Sequence, residues 1–234
     1  MPKLSIIIPA FNEAPTIRRL VEKMIAVPFP VEFEVLIIDD HSQDQTFAIT
    51  NTLGSDYPKN VRVFHNEVNR GKGYSIKRGF ENASGDFAIV QDADMEYDPF
   101  DIPKLVEPLL KGEADAVFGS RFLTAAHPAG MALPNKVANQ LLTFFTNLIF
   151  GTRLTDVYSC YKVIPLRLLK SFRLERDGFE SEAEILSKLL SLKKRIGEVA
   201  IAYQGRTVKQ GKKIKAADFF LALEVLWKYR SFKS

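Results

Sequence analysis

Strand-like and helix-like segments alternate along the first half of the chain, and this order constrains the fold more than any other feature. The apolar run Leu4 to Ile8 is followed by a helical stripe that begins near Pro15. Three more strands are predicted, each preceded by a helical pattern: Phe33 to Ile38, Val61 to His65 and Asp86 to Val90. Parallel strands need long crossovers, which are usually helices, so we predict an α/β fold with a Rossmann-like, doubly wound, mostly parallel sheet.

The second half is predicted to add more helices than strands. Gly54 is expected to end the helix that follows the second strand, because glycine is common just past a helix end. The later predicted helices are Asp101 to Leu110, Val137 to Phe150, Ala183 to Leu192 and Ala216 to Tyr229, and the later strands are Ala116 to Phe118 and Val199 to Tyr203. No repeat or linker interrupts the chain, so we expect a single domain over residues 1–234.

Composition excludes several classes of protein. Hydrophobic residues make up 46% and charged residues 26%, as in packed globular proteins. A membrane-spanning helix needs about 18 apolar residues in a row, and the longest uncharged run, Val137 to Thr152, is interrupted by polar side chains. One cysteine, Cys160, cannot form an internal disulfide, and no signal-peptide pattern precedes Leu4. These features predict a cytoplasmic protein.

Positive charge is concentrated towards the C-terminal end. The net charge is +4, yet from Lys193 onwards there are 11 basic and 3 acidic residues. Such a segment is often only a solvated surface, but it also suits phosphates or an anionic membrane face. A nucleic-acid binder would explain the basic end while leaving the acidic strand ends without a role, so we expect no nucleic-acid partner.

Carboxylates follow two of the predicted strands. Asp39 and Asp40 end the second strand, while Asp92, Asp94 and Glu96 follow the fourth. Ligands of doubly wound sheets bind beyond the carboxyl ends of the strands, and crowded carboxylates there suit Mg²⁺ or Mn²⁺ with a diphosphate. The alternative for an Asp-x-Asp sequence is ordinary turn chemistry.

Other phosphate and cofactor motifs are weak or absent. The pair Gly71 and Gly73 opens a helix whose N–H groups are candidates for phosphate binding. The first strand is followed by Pro9 to Ala14, which lacks the glycine pattern of dinucleotide-binding enzymes, and there is no Walker A sequence. The three histidines lack metal-ligand spacing, and Cys160 is expected to be a small buried residue.

Eight short motifs follow one another along the chain: Pro9 to Glu13, Asp39 to Thr46, Asn69 to Gly73, Gln91 to Glu96, Gly119 to Arg121, Thr155 to Lys162, Gly178 to Glu184 and Tyr203 to Ile214. Their order resembles that of family 2 glycosyltransferases, and more narrowly that of the dolichol-phosphate mannosyltransferase-like branch. The resemblance implies a GT-A fold in which residues 1–120 bind a nucleotide-diphosphate sugar and residues 121–234 serve the acceptor.

The resemblance also implies roles for individual residues. Donor binding is implied for Pro9, Phe11, Glu13, Asp39, Asp40, Lys72, Asp92 and Lys213. Ligands of Mg²⁺ or Mn²⁺ would be Asp92, Asp94 and Glu96. Catalytic roles are implied for Asp94, Arg121, Glu182, Glu184 and Arg206, with the two arginines holding phosphates.

The predicted reaction is the inverting transfer of a hexose from GDP-mannose or a UDP-sugar to a polyprenyl or dolichyl phosphate. A lipid phosphate is already an anion, whereas a sugar hydroxyl acceptor would need Glu182, Glu184 or Asp156 as a base. Glu182 and Glu184 are two residues apart on a helix, so at most one should point into the site. A less favoured alternative is a sugar nucleotidyltransferase, although the first loop is not glycine-rich.

Two amphipathic segments, Leu141 to Phe150 and Phe219 to Trp227, suggest peripheral contact with the inner face of a membrane. Core packing is the competing explanation for both. The basic loop Lys209 to Lys215 is expected to be mobile without ligand and to close over the donor diphosphate.

Overall fold

The protein folds around one mixed β-sheet whose strands come from both halves of the chain. The computed structural model describes residues 1–123, 128–205 and 216–233. The strands of this part of the chain are β1 (Lys3–Ala10), β2 (Glu32–Asp39), β3 (Val61–His65), β4 (Phe87–Val90), β5 (Ala116–Ser120), β6 (Lys162–Pro165) and β7 (Ile196–Ala200). They lie in the order β3-β2-β1-β4-β6-β5-β7.

Helices cover both faces of this sheet. They are α1 (Ile17–Ile25), α2 (Thr46–Asp56), α3 (Lys72–Asn82), α4 (Ile102–Leu110), α5 (Leu133–Phe150), α6 (Leu166–Ser171), α7 (Ser181–Ser191) and α8 (Ala216–Lys228). Side chains of β1 alternate between two buried clusters: Ile6 and Ile8 pack with α1 and α4, while Ile7 packs with α3. The predicted doubly wound α/β class is therefore confirmed.

The predicted strands β1 to β4 are all present and differ from their expected limits by at most two residues. They pair in parallel, Ile6 with Val35 and with Ile89 for example, so their carboxyl ends meet at one edge. β1, β2 and β4 are mostly buried, which explains why uninterrupted apolar runs identified them, whereas β3 is buried only at Val61.

The largest departure from the sequence-based fold is β6, which was not predicted, together with α6 behind it. β6 runs antiparallel between β4 and β5, pairing Ala88 with Ile164 and Val117 with Val163. It has four residues and ends in a proline, so it has neither the length nor the alternation that marks a strand.

Three predicted boundaries were also wrong. α5 begins at Leu133, four residues before the predicted start at Val137. Gly54 lies inside α2, where a Cβ atom would come within 3.2 Å of Val63 Cγ2, so the glycine permits close packing on β3 instead of ending the helix. The last strand spans Ile196–Ala200, not Val199 to Tyr203, because its register is set by pairing Ala116 with Ile196 and Ser120 with Ala200. Among the residues described, no helix is long and apolar enough to cross a bilayer.

Candidate active site

A cavity of about 1010 Å³ opens at the edge where the carboxyl ends of the parallel strands meet. Most of the residues predicted for the site line it, although they come from the end of β1, four loops and two helices. They are Pro9, Phe11, Glu13, Asp40, Lys72, Asp92, Asp94, Glu96, Arg121 and Glu182. Arg206, Lys213 and the loop Lys209 to Lys215 lie outside the described residues.

Asp40 fixes the loop at one end of the cavity. Its Oδ1 accepts hydrogen bonds from Asn66 Nδ2 at 2.7 Å and from the Arg70 N–H at 3.0 Å, and its Oδ2 accepts from the Gly71 N–H at 2.8 Å. Asp39 does not line the cavity, contrary to its predicted contact with the donor. It is fully buried, and its Oδ2 lies 2.8 Å from His65 Nδ1.

The glycine pair before α3 serves packing. A Cβ atom on Gly73 would come within 2.7 Å of the Arg176 carbonyl oxygen, and Gly71 has a φ of +93° and a similarly close neighbour in Asp177. The Tyr74 N–H donates to the Asp177 carbonyl at 3.1 Å. Together with the bonds from Arg70 and Gly71 to Asp40, this means that three of the N–H groups around the start of α3, those of Arg70, Gly71 and Tyr74, donate to protein oxygens.

Lys72 links the two sides of the cavity. Its Nζ lies 2.7 Å from Asp92 Oδ1 and 3.0 Å from Glu182 Oε1. Lys162 approaches the other oxygen of Glu182 at 3.6 Å. Burial would raise the pKa of Glu182, but the charges of Lys72 and Lys162 outweigh it and lower the pKa to about 2. Glu182 is therefore an anion throughout the neutral range.

Cys160 belongs to the same cluster, which the sequence did not indicate. Its thiol donates to Asp92 Oδ2 at 2.7 Å and accepts from Lys72 Nζ at 3.5 Å. Burial, reinforced by the charge of Asp92, raises the pKa of this thiol well above its usual value. The cysteine is thus a neutral hydrogen-bond donor that orients Asp92.

Asp94, Glu96 and Tyr203 line the same part of the cavity. The Glu96 N–H donates to Asp94 Oδ1 at 3.0 Å, and the Tyr203 hydroxyl donates to Glu96 Oε2 at 2.7 Å. In the described part of the chain, no three His, Cys, Asp or Glu side chains are gathered to hold an ion on their own. Mg²⁺ typically takes one or two carboxylates and completes its shell with phosphate and water, so Asp94 and Glu96 fit a metal that arrives with a diphosphate.

Arg121 is held by a buried ion pair with Asp156. Its Nε and Nη2 donate to the two carboxylate oxygens of Asp156 at 2.7 and 2.9 Å, and its Nη1 donates to the Tyr97 hydroxyl at 3.2 Å. Burial would raise the pKa of Asp156, but the Arg121 charge outweighs it and lowers the pKa. Arg121 also lies against the ring of Tyr203, which places the guanidinium beside Glu96.

Glu184 does not reach the cavity. Its carboxylate accepts from the backbone N–H groups of Glu175 and Arg176 and pairs with Lys188 at 2.5 Å, within the core. The predicted catalytic role of Glu184 is therefore wrong, because the next-but-one position on α7 faces away from the site. Glu182 faces it.

The remaining wall of the cavity is apolar and comes from α5 and α8. Leu133, Val137 and Leu141 line it, together with Phe219 and Phe220. The buried face of α5 carries three polar residues, Asn139, Thr143 and Thr146, beside Leu142, while Phe144 and Leu148 are 60% and 69% exposed. The polar face is bonded to the segment 152–157, as in the bond from Asn147 Nδ2 to the Leu154 carbonyl at 2.8 Å.

Comparison with known proteins identifies relatives of this site and fold. The family profile described as Glycosyl transferase family 2 matches residues 5–172. The dolichol-phosphate mannosyltransferase of Pyrococcus furiosus is 36% identical over 188 residues, covering 80% of this chain and 53% of that protein, so the chain spans about half its length. The UDP-N-acetylglucosamine–dolichyl-phosphate N-acetylglucosaminyltransferase of Methanococcus voltae is 30% identical over 213 residues, covering 84% and 83%.

A solved structure agrees with the fold over the whole chain. Glucosyl-3-phosphoglycerate synthase from Mycobacterium tuberculosis, solved with Mn²⁺, UDP-glucose and glycerol 3-phosphate, superposes with a TM-score of 0.71 at 22% identity. The match covers 100% of this chain and 82% of that one. At this level of identity the similarity concerns the fold.

Proposed function

Because the chain belongs to glycosyl transferase family 2, we propose that it is a metal-dependent, inverting hexosyltransferase acting on a polyprenyl phosphate. The donor is a nucleotide-diphosphate sugar, GDP-mannose or a UDP-sugar, whose nucleoside contacts Pro9, Phe11, Glu13 and Asp40. The two curated relatives described above are named for transfer to dolichyl phosphates, which supports a lipid phosphate as the acceptor.

Asp94 and Glu96 would hold Mg²⁺ or Mn²⁺, with Asp92 beside them. A bound divalent ion would neutralise charge on the diphosphate as it leaves. The protein's own contribution is to orient these carboxylates: Lys72 and Cys160 hold Asp92, and the Tyr203 hydroxyl holds Glu96.

In the transfer, the anomeric carbon of the sugar exchanges its bond to the donor diphosphate for a bond to the acceptor phosphate. An oxygen of the acceptor phosphate attacks the anomeric carbon from the face opposite the diphosphate, the bond from that carbon to the donor oxygen breaks, and the nucleoside diphosphate leaves. The configuration at the anomeric carbon inverts. Arg121, fixed by Asp156, offers a guanidinium to a phosphate of the donor or acceptor.

Ion pairing of the two acceptor-side carboxylates, Glu182 and Asp156, is the observation that favours a phosphate acceptor over a sugar hydroxyl. Glu182 is held by Lys72 and Lys162, and Asp156 by Arg121, and the pKa of each is lowered. Groups of this kind take up a proton poorly near pH 7. A sugar hydroxyl must give its proton to a base as it attacks, whereas a phosphate monoester already carries an ionised oxygen.

The exposed face of α5 supports work at a membrane surface. Leu141, Phe144 and Leu148 on α5 and Trp227 on α8 are exposed apolar side chains, and Lys228 and Arg230 are exposed beside Trp227. Each basic residue near an anionic leaflet adds about 1 kcal/mol of attraction. We infer a cytoplasmic enzyme that works at the inner face of the membrane.

The test is a competition between acceptors. The chain would be incubated with Mn²⁺, labelled GDP-mannose, UDP-glucose or UDP-N-acetylglucosamine, and either farnesyl phosphate or an alkyl glycoside with free hydroxyls. Label should enter farnesyl phosphate, and Glu182→Gln should reduce this transfer far less than Asp94→Asn does. Transfer to the glycoside alone, abolished in Glu182→Gln, would instead establish a sugar hydroxyl acceptor with Glu182 as its base.

A further inference from the structure

The buried ion pair between Arg121 and Asp156 has a third member that comes from α5. Asn139 Nδ2 donates to Asp156 Oδ1 at 3.1 Å, and the same oxygen accepts from Arg121 Nη2 at 2.9 Å. The three residues are 7%, 0% and 6% exposed for Asn139, Asp156 and Arg121. Water therefore has little access to replace any of these bonds.

The backbone at Asp156 is held by hydrogen bonds to the carboxylate of Glu198. Its N–H donates to Glu198 Oε1 at 3.2 Å, and Glu198 also accepts from the Thr155 N–H at 2.9 Å. The backbone at residue 156 is thus fixed by β7, and one carboxylate oxygen, Oδ2, also accepts from the Arg121 backbone N–H at 3.1 Å. Asn139 holds the other oxygen, Oδ1, which the outer guanidinium nitrogen also uses, so the orientation of the carboxylate is completed from α5.

The orientation of that carboxylate decides where the guanidinium points. Both Asp156 oxygens receive a nitrogen of Arg121 in a fork arrangement, so turning the carboxylate turns the guanidinium plane with it. Arg121 Nη1 at the same time meets the Tyr97 hydroxyl at the cavity wall. A rotation of the fork would move the positive charge relative to Asp94 and Glu96.

We propose that Asn139 is a positioning residue, which sets the orientation of Arg121 through Asp156 and thereby makes α5 part of the anion-binding site. The inference rests on the proposed function, in which Arg121 binds a phosphate. It adds that the helix whose outer face is exposed and apolar controls that phosphate contact from its inner face.

The experiment compares four variants of the whole chain by calorimetric binding of two probes, farnesyl phosphate and UDP with Mn²⁺. Arg121→Lys identifies which probe depends on the guanidinium. Asn139→Leu should weaken binding of that same probe about tenfold, since one hydrogen bond that orders a charged group is lost. Thr146→Val is the matched control, because its hydroxyl is also on the buried face of α5 but bonds only its own helix, at the Leu142 carbonyl.

The double variant Asn139→Leu with Arg121→Lys distinguishes positioning from a general loss of structure. If Asn139 acts through Arg121, the double variant binds as weakly as Arg121→Lys alone; independent effects would multiply and overturn the proposal. Asn139→Ser repeats the measurement with a smaller side chain should the leucine variant fail to fold. If Arg121→Lys weakens UDP but not farnesyl phosphate, Arg121 holds the donor and the positioning test is made on UDP; if the wild type does not bind farnesyl phosphate at all, the lipid-phosphate acceptor is wrong while the test on UDP still decides the role of Asn139. If Arg121→Lys weakens neither probe, Arg121 holds no anion and the inference fails.

Discussion

The two sides of the cavity hold their carboxylates in different ways. On the side built by strand ends, Asp40 accepts hydrogen bonds from neutral donors: two backbone N–H groups and an amide. On the opposite side, Glu182 and Asp156 are paired with lysine and arginine. The first arrangement orients a carboxylate with neutral groups, whereas the second pairs a carboxylate with a positive charge.

This difference matches the charges that each side is proposed to receive. Neutral hydrogen-bond donors orient a carboxylate without neutralising it, so a dication and its diphosphate are attracted there. Paired charges on the acceptor side avoid repelling an anionic phosphate and still leave an oriented guanidinium close by. Asp92, bonded to both Lys72 and Cys160, lies at the boundary between the two.

Removing one strand-end carboxylate should have the largest effect. Asp94→Asn is expected to lower transfer at least a thousandfold, or about 4 kcal/mol in the barrier, because a neutral amide is a poor ligand for a hard dication. Transfer would be measured while Mn²⁺ is titrated. Asp56→Asn, an exposed aspartate at the end of α2, is the matched control and should be unaffected. Full activity of Asp94→Asn, or of the wild type in excess chelator, would contradict the metal's role.

Removing the carboxylate from the buried Arg121–Asp156 ion pair should lower the free energy of unfolding. Asp156→Asn leaves Arg121 buried without a counter-charge, so the free energy of unfolding should fall by about 3 kcal/mol. Asp115→Asn removes the same kind of partner from Arg195 at the surface, and its effect should stay below about 1 kcal/mol. Urea unfolding at neutral pH measures both. Equal losses in the two variants would mean that burial of the pair is unimportant.

The pairing of Glu182 should appear as acid sensitivity. Its pKa is lowered from 4.5 to about 2 in the folded state, so its contribution, roughly 3 kcal/mol, is present above pH 4.5 and is lost as the pH falls towards 2. Glu182→Gln should therefore lose less stability than the wild type when the pH is lowered from about 5.5 to about 3.5. The exposed Glu107→Gln should follow the wild type. A Glu182→Gln curve parallel to that of the wild type would contradict the lowered pKa.

The smallest expected effect concerns the outer face of α5. Phe144→Glu should weaken binding to anionic phospholipid vesicles about tenfold, since an exposed apolar ring is replaced by a negative charge. UDP binding in solution should not change. Leu110→Glu, an exposed apolar residue of α4, is the matched control. Vesicle binding that falls equally in both variants would place the membrane contact elsewhere.

The sequence predicted the fold most accurately for segments whose two faces are both buried. β1, β2 and β4 are mostly buried, so their apolar runs were sufficient, and the carboxyl ends of β2 and β4 then located Asp40, Asp92 and Asp94. β6 was not predicted because its place is decided by residues distant in sequence, such as Ala88, which lies 76 residues before its partner Ile164. Local pattern carries no signal for such a contact.

The same limit explains the site residues that were missed. Cys160 acquires its role from Lys72 and Asp92, and Tyr97 from Arg121, all distant in sequence. A usable signal did exist for Asn139: together with Thr143 and Asn147 it forms a polar stripe at four-residue spacing inside an apolar helix. Such a stripe indicates that the buried face of the helix is polar. In the sequence alone these residues stood out only as interruptions of a hydrophobic run.

The antiparallel strand β6 has a consequence for synthesis. β4 has β1 on one side, but its other edge is covered only by Lys162–Pro165. At about 5–20 residues per second, the ribosome needs roughly 4–15 s to advance from β4 to β6. During that interval the nascent sheet presents an unpaired, apolar strand edge, the kind of surface on which chains aggregate. We therefore expect truncation between β5 and β6 to yield insoluble protein, and slow translation after β5 to increase the demand for chaperones.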